Sequence, residues 1–146
     1  MKLNLHDIAN VHIVLRDQDG NIKDQRDIHN LVVTSGKNHI ADQLKLTPAQ
    51  AAMSHMAVGT GALAAAAADT ALGTELDRNA LSSRTAATNV VTYVGDWAAG
   101  DATGALTEAG IFNAATVGTM LARTTFTVVN KGALDTLQIT WTLTLG

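Results

Sequence analysis

Apolar and polar residues alternate without a break from Leu137 to Leu145. Leu137, Ile139, Trp141, Leu143 and Leu145 hold the odd positions; Gln138, Thr140, Thr142 and Thr144 hold the even ones. A period of two places the two sets on opposite faces of a β-strand. Threonine is β-branched and suits a pleated surface. The pattern predicts one buried face anchored by Trp141, in a register that a one-residue slip would ruin. The strand is expected to pack within its own sheet; the alternative is an arm given to another subunit.

The same reading extends along the chain. Val11–Arg16 predicts a strand, and Asp17-Gln18-Asp19-Gly20-Asn21 a tight turn, because glycine accepts positive φ. Ile22–Arg26 is the polar return strand, expected at a sheet edge. Leu31–Val33 predicts a short buried strand. Thr34 or Ser35 then caps a helix to about Leu44, with Ile40, Ala41 and Leu44 as its apolar stripe. Thr47-Pro48 opens a further short turn or helix. Met53–Gly59 alternates again, with Met53, His55 and Ala57 on one face and Ser54, Met56 and Val58 on the other. Thr60–Ala68 reads as a surface loop despite the helix preference of alanine, because glycines flank it and no amphipathic pattern runs through it. Asp69 or Thr70 is expected to cap a single turn through Leu72 that ends at Gly73. Leu76-Asp77-Arg78 leads into a polar segment.

From Thr88 onward the pattern is β: Thr88–Trp97, Leu106–Asn113, Met120–Val129 and the closing strand, with a loop at Ala98–Gly104 and a turn at Asn130-Lys131-Gly132. Strands so closely spaced predict a mainly β fold, an antiparallel β-sandwich (jelly-roll-like or barrel-like) with one short helix. The 146 residues form one domain, 1-146, with a polar N-terminal hairpin at about 11-26 and an Ala-rich loop at about 60-70.

Composition narrows the functional classes. Hydrophobic residues make up 47% but aromatic residues only 3%, so the core is thin and aliphatic. Charged residues are 16% and net charge is −3, low for the surface of a free monomer. Packing against copies of itself or a larger assembly accounts for this; so do surfaces rich in threonine and alanine. Cysteine is absent, which excludes disulfides and thiolate metal sites. The stretch Met1–Asp7 lacks the apolar core of a signal peptide. No apolar run approaches the roughly 20 residues that span a membrane. Synthesis in the cytoplasm and no membrane partner are expected. Basic residues are few and scattered, which disfavours nucleic acid as a partner.

Each candidate for chemistry has a plainer reading. His6, His12, His29, His39 and His55 show no metal-ligand spacing and are expected to be hydrogen-bonded or exposed. Asp17-x-Asp19-Gly20 resembles a calcium loop, but Gly20 stands fourth rather than sixth and Ile28 occupies the twelfth position, where a glutamate is needed. Gly59-Thr60-Gly61 follows a strand as a phosphate turn would, without the third glycine or the Lys-Ser/Thr pair; its glycines are expected to let the chain leave the sheet sharply. Ser35, Ser54, Ser82 and Ser83 lie in no nucleophile elbow, and alternation points Ser54 away from His55. Glu108 stands inside an apolar run, and an acid so placed is either a catalytic group of raised pKa or the partner of an arginine, Arg123 or Arg84. The pairing is preferred. No catalytic, cofactor-binding or metal-binding residue is assigned, and no enzyme is expected.

Several stretches carry a resemblance. Met53-Ser-His-Met-Ala-Val-Gly-Thr-Gly61, Asp69-Thr-Ala-Leu-Gly-Thr-Glu-Leu76 and Leu106-Thr-Glu-Ala-Gly-Ile-Phe-Asn113 are similar to a family of small structural proteins of tailed bacteriophages. Gly118-Thr-Met-Leu-Ala-Arg123, Phe126, Lys131, Asp135 and Leu137–Leu143 continue it, over about two-thirds of the chain. Members are often labelled tail-fibre proteins, and some resemble capsid decoration, or cement, proteins. The resemblance implies a β-rich virion protein that bridges and stabilises major capsid subunits at the capsid surface after synthesis in the host cytoplasm. It implies no site residues beyond fold determinants. A homotrimer or homodimer is expected. The polar hairpin and the Ala-rich loop, as the segments least needed by the sandwich, are the expected contact regions. A tail, baseplate or fibre-attachment component is the alternative. A carbohydrate-binding sandwich is the second alternative, with Trp97 as its one candidate for an exposed stacking ring.

Overall fold

The computed structural model describes residues 9–145. The N-terminal stretch read above for a leader pattern, with His6, and the final glycine lie outside the described residues. Ten strands and one helix follow in the order β1 (Ala9–Arg16), β2 (Ile22–His29), β3 (Leu31–Val32), α1 (Thr34–Gln43), β4 (His55–Gly59), β5 (Glu75–Ala80), β6 (Ser83–Ala87), β7 (Val90–Trp97), β8 (Gly104–Phe112), β9 (Met120–Lys131) and β10 (Thr136–Thr144). They form two separate five-stranded antiparallel sheets. The front sheet runs β2-β1-β10-β7-β6 and the back sheet β3-β9-β8-β4-β5. The fold is therefore an antiparallel β-sandwich with open edges, not a closed barrel. No helix among the described residues is long and apolar enough to cross a membrane.

The alternating stretch becomes β10, at the centre of the front sheet. Trp141 lies opposite Val11 on one side and Tyr93 on the other. Leu137, Ile139, Trp141 and Leu143 are buried, while the threonines between them face outward and are half-exposed. Leu145 lies past the strand and is 36% exposed, so burial stops at Leu143. Both neighbours belong to the same chain, so the strand packs at home. The inner faces meet in one core, with Val11, Ile13, Leu15, Trp97 and Trp141 from the front and Met56, Val58, Leu106, Ile111 and Val129 from the back.

The back sheet is covered on its second face as well. Val33, Ala57, Leu72, Phe112 and Met120 form a smaller apolar cluster there. A strand buried on both sides reads as a continuous apolar run rather than an alternating one. This explains Leu106–Phe112 and the burial of every residue from Met56 to Gly59.

Four local expectations are corrected. The polar segment after Leu76 is two strands, β5 and β6, each at a sheet edge. Edge strands with exposed faces carry no buried alternation, so periodicity passes over them. Helix α1 has Val33 as its N-cap with no side-chain cap, and the Ser35 hydroxyl instead donates to the Met120 carbonyl at 2.9 Å. Its buried residues are Gly36 and His39; Leu44 is 82% exposed. Ile40 of the expected stripe packs, half-buried, against the core; a Cβ on Gly36 would stand 1.9 Å from the Leu121 carbonyl oxygen, so close approach of backbone to backbone also fixes this face of the helix. Asp69–Gly73 contains no helical turn, whereas Thr47 forms a bend, the turn rather than the helix of the two forms expected there.

The turn expected at residues 130–132 begins later, because β9 continues through Lys131. The Lys131 ammonium is buried and donates to the carbonyls of Ala98 (2.9 Å) and Asp135 (2.7 Å). Burial holds its pKa below the ordinary lysine value. The Asp135 carboxylate accepts from Lys23 and from the Gly132 amide, both at 2.7 Å, which pins the first hairpin to this corner. That hairpin forms as expected, with Gly20 at φ +84° and β2 at the front-sheet edge.

Glycine-to-alanine changes inside helices ordinarily stabilise by about 1 kcal/mol. Gly36→Ala is expected to lower stability by about 1–3 kcal/mol through overpacking against Leu121, measured by urea unfolding. A gain in stability would mean that the helix is not docked there. Deleting Trp141–Gly146 removes the central front strand and is expected to abolish cooperative unfolding; a monomer that still unfolds cooperatively would restore the exchanged-arm reading.

Candidate functional site

The feature most unlike a generic sandwich is a buried charge cluster on the outer face of the back sheet. It begins with an irregularity in the β8–β9 ladder. Plain alternation would put Leu106 and Glu108 on one face. The β8–β9 register shifts between these two residues, so Leu106, Ala109 and Ile111 all enter the inner core. A bulge reverses which residues point inward. Glu108 is thereby turned to the outer face, where it is 0% exposed.

There the chain from Gly61 to Thr74 crosses over it. Glu108 Oε1 accepts from the amides of Gly61 (2.8 Å) and Thr74 (2.7 Å). Oε2 accepts from the Gly73 amide (2.8 Å) and from Arg123 Nη2 (2.8 Å) and Nε (3.1 Å). Arg123, itself buried, gives its remaining protons to Asp69 (2.8 Å) and to the carbonyls of Leu63 (2.9 Å) and Ala64 (3.4 Å). An arginine has five N–H donors, and all are engaged. Thr107 adds a hydroxyl bond to the Gly61 carbonyl at 2.8 Å. A Cβ on Gly61 would lie 2.4 Å from Glu108 Oε1. The Gly59-Thr60-Gly61 turn gives one amide, that of Gly61, to an anion, and the anion is the chain's own carboxylate.

Electrostatics follow from these contacts. Burial pushes the Glu108 carboxyl up, but the amides of Thr74 and Gly73, the Arg123 guanidinium and the Gly61 amide outweigh it and hold the pKa below the ordinary value. Asp69 behaves alike: burial raises it, and the Ala66 amide and Arg123 pull it lower still. Arg123 is raised above its ordinary value, burial working against the two carboxylates and losing. A general acid needs the opposite setting, a raised pKa and an open approach. Glu108 is ionised, saturated and closed off, so it serves as a structural anion. Its partner is Arg123; Arg84 instead donates to the Met53 carbonyl at 2.7 Å.

The cluster also corrects the reading of the Ala-rich loop as a segment the sandwich hardly needs. The loop is tied to Glu108, Arg123 and, through its Ala67 carbonyl, to the Thr34 amide at 2.8 Å, and the segment that continues it supplies Leu72 to the second apolar cluster. Its outward side still exposes Ala62, Leu63, Ala64 and Ala66–Ala68.

The other candidates stay apart. Ser54 and His55 do meet, Oγ to Nδ1 at 2.8 Å, because Ser54 precedes β4 and alternation does not govern it. No carboxylate among the described residues reaches that pair. His12 contacts Asp27, and His39 contacts Gln50. No group of three metal-ligating side chains occurs among the described residues. The Asp17 carboxylate closes its own turn, accepting from the amides of Asp19 and Asn21 at 2.9 Å each. Trp97 and Trp141 are each 1% exposed, so neither indole offers a face to a sugar. Trp97 is thereby corrected from loop-side aromatic to core residue.

Arg123→Ala strands a buried carboxylate and is expected to cost about 3–5 kcal/mol, read by urea unfolding. Carboxylates with depressed folded pKa stabilise the fold above their unfolded pKa, and this stability is lost as pH falls through the folded value. The wild-type urea midpoint is therefore expected to drop on acidification below about pH 4.3, the ordinary glutamate value. Glu108→Gln is expected to be less stable at neutral pH but flatter in this range; an unchanged acid slope would remove Glu108 from the linkage.

Compared with family models, with curated proteins and with solved structures, the chain finds no match.

Proposed function

We propose that the chain is a structural protein of a bacteriophage virion, a capsid decoration (cement) protein that bridges neighbouring major capsid subunits. One observation carries the reading. The separate stretches that resemble the phage family meet at the buried cluster: Gly61 from the first, Asp69, Gly73 and Thr74 from the second, Glu108 from the third and Arg123 from the fourth. The resemblance thus falls on a single structural device that fastens one crossing segment to one sheet, as expected of shared fold determinants.

The surface supports an assembly role. The clamp holds a backbone whose exposed side is a row of small alanines and one large apolar side chain, Leu63, a surface that suits close packing against a neighbour. The first hairpin presents a polar strand pinned by Asp135. Both regions are tied to the body of the fold, the loop through Arg123 and the hairpin through Asp135. On a repeating shell, contacts of modest strength are multiplied by valency.

Labelling the protein in purified virions is expected to mark the head shell at high copy number. Label confined to the tail would overturn the decoration reading in favour of a tail, baseplate or fibre-attachment component.

A further inference from the structure

The two edges of the front sheet are built differently. β2, at one edge, is Ile-Lys-Asp-Gln-Arg-Asp-Ile-His, with Lys23 paired to Asp135, Arg26 to Asp24 and Asp27 to His12. Its pairing with β1 is interrupted at Leu15/Arg16. Charges and irregularities of this kind keep an edge from pairing with another chain. β6, at the other edge, is Ser-Arg-Thr-Ala-Ala. All five residues are exposed, its register with β7 is unbroken, and its single charge, Arg84, is held by the Met53 carbonyl. It has no proline, no bulge and no acidic residue.

An apolar groove of about 200 Å³ lies beside this bare edge, lined by Ala52, Met53, Arg84, Ala86, Val91 and Tyr93 among others. Arg84 and Ala86 lie opposite Tyr93 and Val91 in the ladder and so share their face of the sheet. Burial pushes the Tyr93 hydroxyl up in pKa, in keeping with an apolar setting.

We infer that β6 is a self-docking edge, through which two copies of this chain pair antiparallel about Thr85 and merge their front sheets into one. The sequence of β6 suits pairing with itself. Centring on Thr85 sets Thr85 against Thr85, Arg84 against Ala86 and Ser83 against Ala87, so no like charges face each other. Threonine pairs across strands are favourable, and like charges directly opposite are not. A two-fold contact uses the same patch on both copies and closes at two. Head-to-tail pairing of β6 on β2 would propagate without end, and the charged β2 edge opposes it. The two-fold also brings the two apolar grooves edge to edge, which adds apolar burial to the few ladder hydrogen bonds. The inference rests on this edge alone and not on the virion reading: mass in solution tests the one, and label on particles tests the other.

Light scattering coupled to size exclusion is expected to show the full chain at twice the monomer mass in the micromolar range. T85K and T85E, which place like charges across the axis, are each expected to run as monomers with unchanged circular dichroism. Mixing T85K with T85E is expected to restore a 1:1 dimer, and Gln25→Lys on the β2 edge to leave the wild-type dimer intact. Amide exchange on the wild type gives a reading that needs no variant: β6 protection is expected to rise with protein concentration. A monomer or trimer of the wild type, a T85K dimer, or β6 exchange independent of concentration would overturn the inference.

Discussion

The buried Glu108–Arg123 pair is the constraint on which the back half of the molecule depends. Removing two charges from water costs on the order of several kcal/mol per ion, and their attraction offsets this only when every remaining donor and acceptor is met. Here the carboxylate takes three backbone amides and two guanidinium protons, and the guanidinium adds Asp69 and two carbonyls. Most of these partners come from one crossing segment, Gly61–Thr74. The pair is satisfied only if that segment lies in one place. It therefore acts less as a source of stability than as a specification of path.

Two consequences follow. The crossing segment closes a second apolar cluster over Phe112, Met120 and Ala57, and the back sheet is buried on both faces. The front sheet receives no such cover and leaves its threonine face and its β6 edge to solvent. The molecule has a thick, locked side and a thin, open one. The small, lightly charged groups on the crossing segment and the bare edge of β6 are the regions that fit an assembly protein, for different reasons. The first presents fixed small side chains, and the second presents unpaired backbone.

Part of this was legible in the chain. The alternation of β10, the Asp-Gly hairpin, and the apolar runs of β8 and β9 were plain, because each has a face whose burial leaves a period in the sequence. Glu108 was visible as an acid in an apolar run, and Arg123 as one of two partners. The amides that complete the site were not visible, since a backbone donor leaves no mark in composition. The glycines at Gly59 and Gly61 were the one trace, and they suggested a sharp exit from the sheet rather than close approach to a carboxylate.

What the sequence determined by itself was class and pattern: a mainly β sandwich, a short helix, the strand centred on Trp141, and the absence of thiol chemistry. These depend on local periodicity and on residue types, which are read position by position. Only the tertiary structure decided that β5 and β6 are strands, that α1 packs through Gly36, and that a bulge after Leu106 sends Glu108 outward. Edge pairing, backbone-to-backbone contact and a shift of register are settled between segments far apart in the chain. The closing strand shows both sides of this division. Its alternation announced a buried face, and the neighbours β1 and β7 decided that the face is buried at home.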